Sequence, residues 1–76
     1  MCLAIPGRVV SIEKDFAVID MLGFESEVFV ALICEVQVDD YVLVHAGCAI
    51  EKIDQQSFDY FNSLCEEMLR EDVYEQ

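Results

Sequence analysis

The chain has 76 residues, 55% of them hydrophobic, and carries 16 acids against 4 bases for a formal net charge of −12. A sequence this short makes one domain with a small core and leaves little room for a deep catalytic cleft, while its apolar share is well above that of a disordered chain. Such a charge repels phosphate backbones and anionic membrane surfaces, and no basic stripe offsets it, so nucleic acid and membrane are excluded as partners and a basic protein surface is favoured.

The first stretch is Met1-Cys2-Leu3-Ala4-Ile5-Pro6-Gly7. A cysteine at position 2 is accessible by default, because chain ends contribute little to a core. Removal of Met1 would give Cys2 both a thiol and an α-amino group, and a neighbouring ammonium favours the thiolate, the species that attacks and binds metal. Pro6 fixes its own φ and pushes Ile5 toward an extended conformation. The segment therefore reads as an N-terminal arm presenting a metal-capable thiol, with Leu3, Ile5 and Pro6 beside Cys2 as an apolar docking peg. The opposing reading is a disordered terminus with an incidental cysteine.

Arg8-Val9-Val10-Ser11-Ile12 is rich in β-branched residues, Glu13-Lys14-Asp15 interrupts it, and Phe16 to Met21 resumes an apolar run, which predicts a hairpin. Gly23 marks the next turn, and Glu25, Ser26 and Glu27 lead into a third strand over Val28-Phe29-Val30-Ala31. The apolar run continues to Val38, either as strand or as a short helical or irregular link, and periodicity does not decide between them. Asp39-Asp40 breaks it. Tyr41 to His45 is the strongest strand signal, and Ala46-Gly47 turns it into Cys48 to Ile53.

Five short strands with tight turns bury their apolar faces and remove their edges by closing. The expected fold is mostly β, a small five-stranded OB-like barrel over residues 1–53, with a sheet packed on one helix as the alternative. From Asp54 the period lengthens. Asp54 suits a helix N-cap, and Phe58, Phe61, Cys65 and Met68 recur on one side of a helix, widened by Leu64 and Leu69. A C-terminal amphipathic helix over residues 54–73, packed on the barrel, is predicted within a single domain of residues 1–76.

Cys2, Cys34, Cys48 and Cys65 contain no Cys-x-x-Cys pair, and His45 is the chain's one histidine, which is not a zinc-finger spacing. With no apolar leader or membrane-length run visible, the chain is expected to be cytoplasmic with reduced thiols. No phosphate loop and no nucleophile–base set is present, so the chain is not expected to be an enzyme.

Met1-Cys2-Leu3-Ala4-Ile5-Pro6-Gly7-Arg8-Val9-Val10, followed by Asp40-Tyr41-Val42-Leu43-Val44-His45-Ala46-Gly47 and Ala49-Ile50 before a terminal helix, closely resembles the HypC/HupF family of nickel-iron hydrogenase maturation chaperones, across essentially the whole chain. That resemblance implies an OB-like barrel with a C-terminal helix and a non-enzymatic role in assembling the Fe(CN)2CO centre. It implies two partners, the iron-sulfur scaffold protein HypD and the precursor of the hydrogenase large subunit. It also implies a transiently bound iron fragment with cyanide and carbon monoxide ligands, held by Cys2, with His45 supporting the cysteine. A strand histidine hydrogen-bonded at the barrel surface is the competing reading of His45. Asp39 stands where the family commonly has glycine, and Cys48 where it commonly has phenylalanine; Cys48 is read as packing. An acidic adaptor that carries no metal is the alternative function.

Overall fold

Seven residues of positive φ shape the turns of the described chain. Lys14, Leu22, Glu35, Asp39 and Ala46 adopt positive φ although none is glycine, and Gly23 and Gly47 do so as well. Leu22-Gly23 and Ala46-Gly47 therefore form two-residue turns with both central residues left-handed, the geometry that matches the twist of adjoining antiparallel strands. The computed structural model describes residues 4–74, with side chains through residue 68.

The strands are β1 (Ile5–Glu13), β2 (Phe16–Met21), β3 (Phe24–Phe29), β4 (Tyr41–His45) and β5 (Cys48–Ile53), followed by α1 (Gln55–Tyr74). They close into a barrel in the order β1-β2-β3-β5-β4, which settles the choice between a barrel and an open sheet. β1 is shared between two neighbours. Its first part, Ile5 to Arg8, pairs with β4, and Arg8 to Glu13 pairs with β2 across a bulge between Val9 and Ser11. The bulge inserts one unpaired residue and bends the strand, as closure of so small a barrel requires.

Two strand boundaries differ from the sequence-based expectation. β1 begins at Ile5 instead of Arg8, because Pro6 lies where β1 has only β4 beside it, so its missing N–H leaves no second ladder unpaired. β3 begins at Phe24 and stops at Phe29, because the tight Leu22-Gly23 turn starts pairing at once, with Met21 opposite Phe24. Asp20 Oδ1 accepts a hydrogen bond from Gly23 N at 3.1 Å and steadies that turn. Residues 30–40 are irregular, which answers the question that periodicity left open.

Alternate strand residues point inward and make the core: Val9, Ala17, Ile19, Val28, Val42, Val44 and Ala49, joined by Val30. Ile33 and Val36 from the irregular segment pack against this cluster. Gly7 also faces the interior. A methyl group in its place would sit 2.3 Å from Ile19 Cγ2 and 2.9 Å from Met21 Cγ, so only glycine fits.

Asp54 caps α1, its Oδ1 accepting from Ser57 N at 2.7 Å while Phe58 N donates to Asp54 O at 2.9 Å. That bond holds the Asp54 carboxyl below the usual range. The helix packs on β1 and β4, anchored by Phe58 stacked on Tyr41 with ring centroids 4.3 Å apart. Phe58, Phe61 and Cys65 of the apolar stripe are half-buried, whereas Leu64 and Met68 remain exposed. The stripe thus docks over its first turns and then runs on past the barrel, which gives the molecule a long dimension of 41 Å against 22 and 21 Å.

Candidate functional site at the His45 end of the barrel

The N-terminal arm and the second sequence motif meet because β1 and β4 run antiparallel. Ile5 pairs with Val44, so the chain enters the barrel beside the last residues of β4. His45 ends β4, Ala46-Gly47 turns, and Cys48 opens β5 directly opposite His45 in register. Cys48 is also the register partner of Phe29 on β3. Val44 and Ala49 next to this pair are buried in the core, and alternation along a strand therefore places His45 and Cys48 together on the outer face. Both are half-buried.

Cys2 and Leu3 lie outside the described residues. Covalent geometry still bounds the reach of Cys2: the three residues from Ile5 back to Cys2 span at most roughly 10 Å. Ile5 and Pro6, in contrast, do not belong to a free arm. Ile5 is half-buried and Pro6 fully buried within β1, paired with Val44 and Leu43. The apolar character that marks them as a docking peg in the sequence seats the first strand.

The described residues offer an imidazole and a thiol at this end, and among them no group of three His, Cys, Asp or Glu side chains is placed to hold a metal ion. The remaining cysteines stand elsewhere. Cys34 is exposed in the irregular segment, and Cys65 lies in the helix stripe, where burial pushes its thiol up. A groove of about 260 Å³ lined by Arg8, Asp20, Tyr41, Phe58, Asn62 and Glu66 lies between α1 and the barrel. It is at the Tyr41 end of β4, about 13 Å of strand away from His45.

The second motif does structural work that its sequence does not announce. Asp39 N donates to Val9 O and Val9 N donates to Asp40 O, both at 2.9 Å. The Asp40 carboxylate accepts from Gln37 N at 2.8 Å and pairs with Lys52 Nζ at 3.3 Å, tying the irregular segment to β5. Asp39 forms a 2.8 Å ion pair with Arg8. Gly7 and this Asp39-Asp40 bracket are the positions that a reading for chemistry passes over.

Residues 1–64 match the family model described as "HupF/HypC family". The chain belongs to the HupF/HypC family. The match takes in the whole barrel and the docked turns of α1. Among similar proteins, the hydrogenase maturation factor HypC of Cupriavidus necator is 46% identical over 57 residues, 74% of this chain and 63% of that protein. HypC of Helicobacter hepaticus is 46% identical over 59 residues, 75% of this chain and 69% of its own length. The maturation factor HybG of Escherichia coli K12 is 37% identical over 62 residues, 72% of this chain and 76% of that protein. This HupF/HypC chain thus spans less than two thirds of the Cupriavidus relative. Among its described residues, no helix is long and apolar enough to cross a membrane.

Proposed function

We propose that this chain is a non-enzymatic, cytoplasmic maturation factor for a nickel-iron hydrogenase, which holds an iron fragment with cyanide and carbon monoxide ligands while two larger proteins hand it on. The partners in this reading are the scaffold protein HypD and the precursor of the hydrogenase large subunit. One observation carries it: Ile5, the register partner of Val44 next to His45, stands three residues from the family's Cys2, a span of at most roughly 10 Å.

The chemistry follows from the donors. A thiolate at Cys2 is a soft ligand suited to low-spin iron, and a single protein sulfur lets the fragment leave when a better site is offered. His45 is a borderline donor on a rigid strand, able to orient the thiolate or contribute a second bond. The iron fragment is cargo, and its arrival and departure exchange ligands without changing the number of electrons.

The experiment is native mass spectrometry with infrared spectroscopy on the chain purified anaerobically together with HypD, comparing wild type with Cys2→Ala. Iron with cyanide and carbonyl stretches on the wild-type chain alone supports a cargo carrier. Equal iron on both chains overturns that role and leaves an acidic adaptor, to whose exposed apolar surface Leu64 and Met68 of α1 contribute.

A further inference from the structure

The barrel is closed on one side by very little. β3 pairs with β2 over its full length, Phe24 to Phe29, but meets β5 only through Phe29 opposite Cys48. Phe29 N donates to Gly47 O at 3.0 Å, so the N–H and C=O of Phe29 point away from β2. In an antiparallel ladder both backbone groups of a residue point the same way and the direction alternates along the strand. Glu25 and Glu27 therefore also direct their N–H and C=O away from β2, and among the described residues no strand, loop or helix pairs with them.

Side chains sharpen this edge. Phe24, Glu25, Ser26 and Glu27 are all exposed within one six-residue strand, and Phe24 is 78% exposed. Alternation puts Glu25 and Glu27 on the outer face beside Asp20 of β2, while Phe24 shares the face of Val28. A second copy pairing antiparallel here would set glutamate against glutamate, which destabilises a cross-strand pair. The edge is thus guarded against its own kind, in a protein of net charge −12.

We propose that the free edge of β3 is a strand-addition site for an extended basic segment of a partner protein, with Lys or Arg at alternate positions facing Glu25 and Glu27 and apolar residues between them on the side of Phe24. Backbone pairing supplies affinity and the alternating charge supplies selectivity. This inference is independent of the role of Cys2.

The probe is the capped peptide Lys-Val-Lys-Val-Lys-Val, compared with the same peptide N-methylated on alternate residues, which keeps its charge but loses one edge of its hydrogen bonds. Amide exchange is followed residue by residue on the full chain. The expected result is at least tenfold slower exchange at Glu25 and Glu27 with the plain peptide and no slowing with the N-methylated one. The double variant Glu25→Lys, Glu27→Lys, exposed at both positions, should lose that protection and gain it with a Glu-Val peptide of the same length. Equal effects of the plain and N-methylated peptides, or protection that survives the charge reversal, overturns the proposal.

Discussion

Arg8 Nη1 and Asp39 Oδ1 lie 2.8 Å apart across a sequence separation of 31 residues, and the aspartate holds this position with φ at +76°. This is a left-handed backbone, which glycine adopts without steric cost. Here the ion pair offsets part of the strain, although both side chains are well exposed and such pairs contribute only about 0–1 kcal/mol. Asp39→Gly is therefore expected to change stability by less than about 1 kcal/mol, whereas Asp39→Ala, which keeps the strain and loses the pair, should be the less stable of the two by about 1 kcal/mol. Urea denaturation of the two variants checks the order, and Ala above Gly would contradict it.

Gly7→Ala should be far more harmful. The added methyl meets Ile19 Cγ2 and Met21 Cγ inside the barrel, and overpacking of this kind costs about 1–3 kcal/mol. A melting temperature within a degree or two of wild type would show that the core yields there.

Substitutions in the opening motif should separate by position. Ile5→Asp places a charge in a half-buried strand position opposite Val44, so it is expected to lower the melting temperature whether or not a partner is present. Leu3→Asp is expected to weaken HypD binding at unchanged stability. Calorimetry beside thermal denaturation distinguishes the two, and a Leu3→Asp chain that binds like wild type removes Leu3 from the contact surface.

Acid should loosen the helix through its cap. The folded-state pKa of Asp54 lies below its ordinary value because the carboxylate accepts from Ser57 N. The capping contribution is therefore fully present above the ordinary carboxylate pKa and is lost as pH falls through the lower folded value. Asp54→Asn keeps an acceptor without the proton linkage, so its helical circular dichroism should fall less steeply than wild type between pH 5 and roughly 2. Parallel acid curves would show that Asp54 does not govern this limb.

Thiol reactivity should follow exposure. Cys34 is exposed, while Cys65 is half-buried with its thiol pushed up, which leaves less thiolate at mild pH. Iodoacetamide is expected to label Cys34 several-fold faster than Cys65 by peptide mass spectrometry. The reverse order would mean that α1 leaves the barrel readily.

Much of this architecture is legible in the residues themselves. Gly23 and Gly47 announce their turns, the apolar run before Gly47 announces β4, and Asp54 with Phe58 and Phe61 announces a capped, docked helix. Other parts depend on partners far away in the sequence. Nothing local says that Pro6 opens a strand, because its tolerance there rests on β2 starting to pair only at Arg8. The Arg8–Asp39 pair is likewise invisible, since neither residue carries a signal for the other. Within the candidate site, the pairing of His45 with Cys48 follows once Ala46-Gly47 is taken as a two-residue turn, but the approach of the first strand to that end follows only from β1–β4 pairing. Leu64 and Met68 repeat the period of the docked residues, so periodicity cannot tell which part of the stripe the barrel covers.

The division of β1 between two partners also imposes an order on synthesis. The β1–β2–β3 meander involves neighbouring segments and can assemble while the chain is still being made, since short loops close at little entropic cost. Ile5 to Arg8 must wait for Tyr41 to Val44, some 36 residues later. A nascent chain therefore leaves Ile5 to Arg8 without their β4 partner until residues 41–45 have been made, and the end of the barrel that bears His45 comes together only in a molecule that is more than half built.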